Sequence, residues 1–500
     1  MLGPSADGSP AESFAIVLAQ SLADYGDRPF IEFERKWYSG HDIAGYQTRI
    51  DDALDLAGVG RAEPVGVVVR NRVPHAAAVL GFVASGRPLV MIYSYQSASS
   101  IGADVESLGL AAVLADRADW TDTVLTAARR AGTATVAVSL DDPIVELLTP
   151  RVQGAAAVTD PSVSQPGIHI LTSGTTGAPK RVPITTSVLS HTVFSITHGQ
   201  DPTPEDPPDV VFWPFGSIGV CQLLAAAYTG KRMVLLERFT VDEWVRAVKT
   251  YRIRRSGAQP ALVRMLLDAD VDRADLASLE YLVGGSGPLE HELREEFEHR
   301  YGIPVLWAYG ATEFAGSVCA WTPELRDRYG ASKPDSSGRP LPGVHVRIVD
   351  SHTGCEVANG EKGFLEARVD VMGPEWIRTT DLASIDLDGF VTLHGRGDGA
   401  INRGGFKVIP ETVRRVLVTH PAVRDACVVG VADRRLGEVP FAAVELRLGA
   451  TPPSESELKD LIRESLPSHH VPVAIATVDE LPRNAAMKVR PSEVAELYRP

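Results

Sequence analysis

The first third of the chain alternates short, continuous hydrophobic runs with segments of helical pattern. Residues 64–70 and 87–93 are hydrophobic runs flanked by polar residues, which is typical of buried parallel strands. The segment HAAAVLGFVAS between them is helical in pattern, and similar runs recur at AAVLAD and ATVAVSL. This alternation predicts an α/β fold in which a parallel sheet carries helices on both faces.

The pattern changes toward the C-terminus. The middle of the chain repeats the strand signal at DVVFWPF, RMVLLER, LEYLVGG and IPVLWAYG. From about residue 336, VHVRIVD, GFLEARVD and FVTLHGR alternate hydrophobic and polar positions, which predicts a small β-subdomain. The residues after 398 predict a small α+β domain, in which Ser454 caps an amphipathic helix lined by Leu458, Leu461, Ile462 and Leu466.

Length and composition limit the class of protein. A chain of 500 residues is too long for one core, so we expect two or more domains. Because the pattern changes after 398, we predict an N-terminal domain over 1–397 and a C-terminal domain over 398–500. The net charge of -15 argues against a nucleic-acid partner. No hydrophobic run reaches the roughly 20 residues of a membrane span, and the N-terminus lacks a signal-peptide pattern. The four cysteines form no CxxC pair, which fits a reducing, cytoplasmic compartment without a zinc site.

The segment ILTSGTTGAPKRVPIT, residues 170–185, is the first candidate for chemistry. Its glycines permit close backbone approach, its hydroxyls add donors and Lys180 adds positive charge, which together favour phosphate binding. The Walker A spacing fails, because Pro179 stands where the second Gly is required and Arg181 where a hydroxyl is required. On this segment alone, a plain surface turn stays open as the alternative.

Five further segments occur in a fixed order. TSGTTGAPK resembles the signature loop of the adenylate-forming superfamily, which comprises acyl-CoA synthetases, adenylation domains and luciferases. GGSGPL (284–289), AYGATEF (308–314), RTTDLA (378–383), GRGDGAINRGGFKVIPETV (395–413) and LPRNAAMKVR (481–490) are similar to the adenine, YGxTE, ribose, hinge and catalytic-lysine motifs of that family. The resemblance therefore covers nearly the whole chain.

The resemblance implies a two-step reaction that uses ATP, Mg²⁺ and coenzyme A. A carboxylate attacks the α-phosphate to give an acyl-adenylate and pyrophosphate, and a thiol then attacks the acyl carbon. Cationic and hydrogen-bonding groups around the α-phosphate should dominate the first step. The implied nucleotide-binding residues are Thr172, Ser173, Gly174, Thr175, Thr176, Gly177, Lys180, Gly285, Ser286, Gly287, Tyr309, Gly310, Ala311, Thr312, Asp381, Arg396 and Lys488.

Side-chain chemistry agrees with the implied roles. Tyr309 offers a flat face to adenine, and Asp381 and Arg396 suit the ribose hydroxyls. A flexible ammonium at Lys488 can bridge the attacking carboxylate and the α-phosphate. Glu313 is a hard oxygen ligand suited to Mg²⁺. The implied catalytic residues are Lys488, Thr312 and Glu313.

The second step and the acid site are also implied by the resemblance. Asp398 matches the hinge about which the C-terminal domain rotates between half-reactions. Gly404 and Gly405 lie where coenzyme A ligases of the family let the pantetheine pass. The candidate substrate contacts are His191, Trp213, Phe215, Gly216 and Ala308.

Alternatives stay open for the acid site, and a few positions depart from the family. Core packing explains Trp213 and Phe215 equally well, and a structural role fits His191, which we place at a helix start. Gly216 stands where the family often has a pocket His, which predicts an acyl pocket that is either roomier or reached differently. Three positions differ from the family motifs: Met487 replaces the usual Gly before the lysine, Thr380 replaces the usual Gly in a predicted ribose-binding turn, and Asn402 replaces a common Lys. We expect these substitutions to be tolerated, and a slower half-reaction stays open as the alternative.

The sequence predicts an ATP- and Mg²⁺-dependent acid–thiol ligase that makes an acyl-CoA from a hydrophobic, fatty or aromatic, acid. Since no carrier-protein domain follows Lys488, we expect a free acceptor. Two alternatives stay open: a stand-alone ligase that uses an amine or a carrier protein, and a nucleotide-binding protein without catalysis. The expected partners are small molecules only, and a homodimer is compatible with a sequence that does not fix the oligomeric state.

Overall fold

The computed structural model is described by its two compact units. Unit 1 comprises Met1–Gly284, Glu296–Val305 and Ala311–Gly316, and unit 2 comprises Gly285–Glu295, Leu306–Gly310 and Ser317–Pro500. The residues described are 10–94, 96–152, 163, 165–172, 180–197, 202–203, 205–216, 219–285, 289, 291–311, 314, 316–350, 353–396, 399, 401–403, 406–433, 436–466, 468–484 and 487–499. The domain boundary predicted at 397/398 lies outside these residues and stays a prediction.

Unit 1 has the predicted α/β character. Its strands are β1 Pro29–Phe33, β2 Lys36–Ser39, β3 Val65–Val69, β4 Leu89–Tyr93, β5 Ala112–Asp116, β6 Ala134–Val138, β7 Val145–Thr149, β8 Gly167–Thr172, β9 Lys180–Thr185, β10 Asp209–Val211, β11 Met233–Leu235, β12 Arg255–Ala258 and β13 Tyr281–Gly284. Its helices are α1 Pro10–Tyr25, α2 Gly40–Leu56, α3 Val73–Ser85, α4 Ala98–Leu108, α5 Asp122–Ala131, α6 Thr186–Thr197, α7 Val220–Tyr228, α8 Val241–Tyr251 and α9 Pro260–Asp268. Helix α10 His291–Tyr301 and strand β14 Val305–Ala311 have residues in both units.

The main sheet of unit 1 has the order β7-β6-β5-β3-β4-β8-β9. Its central strands are parallel, and β7 and β9 are added antiparallel at the two edges. Val67 packs into a core with helices α1 to α3, whereas the next residue, Val68, packs into a second core with α4 and α5. Because neighbouring strand residues face opposite ways, the sheet carries helices on both faces, as predicted.

A second sheet of unit 1 has the order β10-β11-β1-β2. The predicted strand DVVFWPF is only three residues long, since β10 ends at Val211. Beyond it, Asn71 replaces strand pairing: its Nδ2 donates to the Trp213 carbonyl at 2.9 Å, and the Phe215 N–H donates to its Oδ1 at 3.0 Å. The predicted strand was therefore too long, because beyond Val211 the backbone forms hydrogen bonds with the side chain of Asn71.

Unit 2 contains a β-subdomain and a C-terminal α+β region. Strand β15 Gly316–Ala320 begins in unit 1 and continues in unit 2. The further elements of unit 2 are α11 Pro323–Tyr329, β16 Arg339–Pro340, β17 Val344–Val349, β18 Gly363–Val369, β19 Ile377–Ile385, β20 Val391–Arg396, β21 Ile401–Arg403, β22 Phe406–Val408, α12 Pro410–Val418, β23 Val423–Asp433, β24 Gly437–Leu446, α13 Glu455–Ser465, β25 Ile475–Val478 and α14 Pro491–Ala495. Strands β17 to β20 form an antiparallel sheet in chain order. The second sheet runs β22-β21-β24-β23, with β25 paired to β24. The Ser454 hydroxyl accepts from Glu457 N–H at 3.1 Å, which confirms the predicted cap of α13.

Candidate active site

The contact between Tyr309 and Asp381 is the centre of the candidate nucleotide site in unit 2. Tyr309 lies in β14, is 8% exposed, and donates its hydroxyl to Asp381 Oδ2 at 2.5 Å. Burial and the neighbouring carboxylate raise the pKa of Tyr309 above its usual range, so the phenol stays a donor. The Asp381 N–H donates to Thr379 Oγ1 at 3.1 Å, and the Thr379 hydroxyl donates to the Leu365 carbonyl at 2.8 Å. Asp381 is thus held by one hydrogen bond to its carboxylate and one from its backbone N–H.

A β-bulge sets Asp381 opposite Arg396. The pairing of β19 with β20 runs Asp381 with Arg396 and Leu382 with Gly395, and then skips His394. Gly395 adopts φ +105°, which an L-residue rarely reaches. The two residues expected at the ribose are therefore directly paired across the ladder.

The segment 378–383 is part of a strand, so the predicted ribose-binding turn is wrong. Residues Ile377–Ile385 form β19, and Thr380 lies in its middle. A β-branched residue suits a strand better than glycine does. This explains how Thr380 can stand where the family usually has Gly.

Gly285 is packed against the strand that carries Tyr309. A Cβ built on Gly285 would lie 3.1 Å from the carbonyl oxygen of Ala308, so a side chain would press on β14 next to Tyr309. Gly310 and Ala311 continue the same strand. The second residue of the predicted adenine segment, Gly285, is therefore packed closely against the strand of the YGxTE motif.

Lys488 lies in the segment 482–490, which we call the lysine hairpin and of which the structure describes 482–484 and 487–490. Arg490 N–H donates to the Pro482 carbonyl at 2.8 Å and closes its base. Near its tip, Asn484 N–H donates to the Lys488 carbonyl at 2.8 Å, and Lys488 N–H donates to Asn484 Oδ1 at 3.0 Å. The backbone of Lys488 is thus fixed on both sides, while its side chain is exposed.

Met487 adopts the left-handed conformation, with φ +59°. Its N–H donates to the Asn484 carbonyl at 2.9 Å. A glycine reaches this region without a steric cost, which is the physical reason for Gly at this place in the family motif. The effect of the methionine on either half-reaction stays a prediction.

In unit 1, the candidate acid residues are held at the carboxyl ends of β3 and β4. Asn71, just after β3, fixes the backbone of Trp213 and Phe215, and Phe215 is fully buried. A Cβ on Gly216 would overlap the ring of Tyr93, the last residue of β4. The space that Gly216 leaves is therefore filled by Tyr93, so the prediction of a roomier pocket at this position is wrong. The alternative, a pocket that is reached differently, stays a prediction.

His191 is the sixth residue of α6, which begins at Thr186. It therefore lies in the second turn of the helix and is half-buried, rather than at the helix start as predicted. Its proposed contact with the substrate stays a prediction.

The ends of the predicted phosphate loop are joined as a hairpin. Strands β8 and β9 are antiparallel, and Thr172 opposite Lys180 is their last pair. This differs from a Walker loop, which leads from a strand into a helix. Next to it, Arg181 Nη1 donates to the Met91 carbonyl at 2.6 Å, and burial lowers the pKa of Arg181. Arg181 therefore anchors β9 to β4 beside the loop.

Many predicted site residues lie outside the described part of the chain. They are Ser173, Gly174, Thr175, Thr176, Gly177, Ser286, Gly287, Thr312, Glu313, Asp398, Gly404 and Gly405, and the side chains of Thr172, Lys180, Arg396 and Asn402. Within the described ranges, no group of three His, Cys, Asp or Glu side chains is placed to hold a metal ion. The same ranges contain no helix with the length and apolar character to cross a bilayer. The predicted magnesium ligand Glu313 lies outside these ranges and stays a prediction from the motif resemblance.

Sequence reasoning missed three residues that the structure places at these sites: Asn71, Tyr93 and Arg181. Asn71 and Tyr93 stand at the carboxyl ends of neighbouring parallel strands, where sites of α/β sheets lie. A residue with a polar group at the end of a continuous hydrophobic run was therefore the sequence signal from which Asn71 and Tyr93 could have been predicted. Arg181 had no such signal, because its partner carbonyl is 90 residues away in sequence.

Comparison with known proteins places the chain in a family. The family model described as AMP-binding enzyme matches residues 18–372, and the model of the AMP-binding enzyme C-terminal domain matches residues 413–488. The 2-succinylbenzoate–CoA ligase of Bacillus licheniformis is 30% identical over 380 residues, which cover 72% of this chain and 75% of the relative.

Solved structures share the fold. The o-succinylbenzoate coenzyme A synthetase of Bacillus subtilis, in complex with ATP and magnesium ion, superposes with a TM-score of 0.79 at 23% identity, covering 96% of this chain and 98% of that one. The amide bond synthetase McbA of Marinactinospora thermotolerans superposes with a TM-score of 0.78 at 23% identity, covering 98% and 100%. With both domain models matched in order and the fold shared over its length, the chain belongs to the family of AMP-binding enzymes.

Proposed function

We propose that this protein is an AMP-forming acid–thiol ligase, which activates a hydrophobic carboxylic acid with ATP and transfers the acyl group to coenzyme A. The observation that carries the proposal is the contact of Tyr309 with Asp381, which the strand register sets opposite Arg396. A buried aromatic ring beside fixed hydrogen-bonding groups suits an adenosine.

In the first step, a carboxylate oxygen of the acid forms a bond to the α-phosphorus while the bond from that phosphorus to pyrophosphate breaks. Lys488 brings positive charge to the oxygens whose negative charge grows, and Thr312 donates to the α-phosphate. The loop from Thr172 to Lys180 holds the departing phosphates. Glu313 would hold Mg²⁺, whose charge offsets that of the leaving pyrophosphate.

In the second step, the thiol sulfur forms a bond to the acyl carbon, the bond from that carbon to the AMP oxygen breaks, and the thiol proton is lost. The rotation about Asp398 and the path beside Gly404 and Gly405 belong to this step. The relative from Bacillus licheniformis is named for an aromatic acid, 2-succinylbenzoate, which supports an aromatic substrate.

The test is acid-dependent exchange of pyrophosphate into ATP over a panel of fatty and aromatic acids, followed by mass spectrometry of the product with coenzyme A. We expect Lys488→Ala to lower exchange by roughly 100-fold or more, since it removes a charge that acts in the transition state. Coenzyme A transfer from a preformed adenylate should be largely spared. Arg490→Ala, which removes the cation that pairs with Glu493 at the end of the same hairpin, is the matched control and should keep its exchange activity.

The outcomes separate the alternatives. Binding of ATP without acid-dependent exchange would favour a nucleotide-binding protein without catalysis. Exchange followed by transfer to amines or a carrier protein, and not to coenzyme A, would favour the stand-alone ligase. We place the reaction in the cytoplasm because it consumes ATP and coenzyme A, and the homodimer stays a prediction for light scattering to test.

A further inference from the structure

Arg483 connects the lysine hairpin to the C-terminal sheet of unit 2. Its Nη2 donates to Asp425 Oδ2 at 2.5 Å and lies 3.5 Å from Glu445 Oε2. Asp425 in β23 and Glu445 in β24 are partners across the ladder, so one guanidinium spans two adjacent carboxylates. The Leu481 N–H also donates to Glu445 Oε2, at 3.0 Å, which brings the chain that enters the hairpin to the same point.

This anchor is buried and electrically balanced. The side chains of Arg483 and Asp425 are 16% and 17% exposed, and that of Glu445 is 2% exposed. Arg414 donates to the other oxygen of Asp425 at 2.7 Å. Burial raises the pKa of Asp425, but the two arginines outweigh it and hold the pKa below its usual range. Charge-assisted bonds of this kind are short and strongly oriented.

The other nitrogen of Arg483 reaches the residue before Lys488. Nη1 donates to the Met487 carbonyl at 3.2 Å. That carbonyl belongs to the same peptide group as the Lys488 N–H, which donates to Asn484 Oδ1. The peptide group from which the lysine begins is therefore held at its oxygen by Arg483 and at its hydrogen by Asn484. Its plane sets the direction in which the Lys488 side chain leaves the hairpin.

We infer that Arg483 is a positioning residue for Lys488, which fixes the direction of the lysine during adenylate formation through its bonds to Asp425 and the Met487 carbonyl. The inference rests on the proposed role of Lys488. Because a shift of about 1 Å in a reacting group can cost roughly 100-fold in rate, a cation that must meet one phosphate needs such a support.

The experiment compares Arg483→Gln with the wild-type enzyme in both half-reactions. We expect kcat for pyrophosphate exchange to fall about 10- to 100-fold while the KM values for ATP and acid change less than about 3-fold. Transfer from a preformed adenylate should be unchanged. In a Lys488→Ala background, Arg483→Gln should cause no further loss, since residues that act as one unit are not additive.

Two variants control for folding and charge. Arg424→Gln removes a bond to Glu445 Oε1 at 3.2 Å and leaves the bonds of Arg483 to Asp425 and Met487 in place, so its exchange should match the wild type. Arg483→Lys keeps the charge, but one ammonium lacks the planar fork that joins Asp425 to Met487. It should lose exchange as Arg483→Gln does, and it serves as the test if the glutamine variant does not fold.

The inference is overturned if both half-reactions fall equally, if Arg483→Gln lowers exchange further in the Lys488→Ala background, or if Arg483→Lys keeps wild-type exchange. Failure of the proposed function has a different signature, in which the wild-type enzyme itself shows no acid-dependent exchange. Normal exchange in Arg483→Gln beside a defective Lys488→Ala would reject the positioning role alone.

Discussion

Two positions in unit 2 have positive φ immediately before a predicted site residue, yet they hold different residue types. Gly395 precedes Arg396 with φ +105°, and Met487 precedes Lys488 with φ +59°. The second angle lies in the left-handed region, which L-residues reach at a cost of roughly 1–2 kcal/mol. The first lies beyond that region, where glycine is strongly preferred.

The surroundings widen the difference. A Cβ on Gly395 would lie 3.3 Å from Glu411 Cβ and 3.4 Å from Ile409 Cγ2, whereas the Met487 side chain is 40% exposed. The backbone around Met487 is held by two side chains, because Arg483 donates to the Met487 carbonyl and Asn484 Oδ1 accepts from the Lys488 N–H. We infer that these side-chain bonds fix the hairpin backbone whatever residue stands at 487, whereas the bulge at 395 depends on glycine itself.

The largest effect is expected for Gly395→Val, which tests whether the bulge depends on glycine. A β-branched residue at φ +105° is strained and also presses on Glu411 and Ile409. We expect the free energy of unfolding to fall by about 2–4 kcal/mol, and the KM for ATP to rise at least about 10-fold as the pairing of Asp381 with Arg396 shifts. Urea unfolding and exchange kinetics measure the two effects.

The matched control for the bulge is Gly389→Ala. Gly389 has φ +80° in the turn before β20, but nothing lies within 4 Å of an added Cβ. It should lose about 1 kcal/mol of stability with no change in the KM for ATP. Equal KM changes in both variants would mean that the bulge has no special role at the nucleotide.

Tyr309→Phe tests whether the bulge acts through Asp381. The variant keeps the ring and removes the hydroxyl that donates to Asp381 Oδ2. Loss of one such bond to a charged group is worth about 1–2 kcal/mol, so the KM for ATP should rise about 5- to 30-fold. Tyr329→Phe, whose ring packs on Phe390, is the control. An unchanged KM in Tyr309→Phe would mean that the bond from the Tyr309 hydroxyl is not needed to hold Asp381 for the nucleotide.

The sequence predicted those features that local pattern decides. The hydrophobic run 64–70 became β3, and Ser454 caps its helix. It failed where distant residues decide: Tyr93 fills the space at Gly216. The bonds of the lysine hairpin were also invisible, because the partner of Arg483 is 58 residues away in sequence. Motif resemblance supplied the candidate site residues, but contacts between elements supply the geometry of those that the structure describes.

His394, the residue skipped by the bulge, predicts a pH dependence of stability. Its Nε2 is 2.9 Å from Ser384 Oγ, and burial, with Lys362 and Arg415, lowers the pKa of His394 to about 4. An unfolded histidine has a pKa of about 6.5. The unfolded state therefore binds the proton first, so this stability is present above pH 6.5 and is lost as the pH falls toward 4.

Because the His394 ring is half-buried, solvent screening limits this loss in the free energy of unfolding to about 1 kcal/mol. Urea unfolding at pH 7 and pH 4.5 measures it as the difference between wild type and His394→Gln, which keeps a polar partner for Ser384. Identical pH dependence in the two proteins would contradict the assignment to His394. The buried His75 titrates in both proteins and therefore cancels in the difference.

The smallest effect is expected for Met487→Gly, which restores the residue type that φ +59° favours. Relief of the backbone strain stabilises the folded state by roughly 1 kcal/mol. The greater freedom of glycine in the unfolded chain destabilises the folded state by a similar amount. The free energy of unfolding should therefore change by less than about 0.5 kcal/mol. Exchange kinetics should stay within about 2-fold, because Arg483 and Asn484 still hold the peptide group before Lys488. Met487→Val, with its branched Cβ, should lower the free energy of unfolding by about 1 kcal/mol, and it is the reference against which the smaller change in Met487→Gly is compared. A large gain in exchange for Met487→Gly would show that the residue at 487, and not the hydrogen bonds around it, determines the position of the Lys488 side chain.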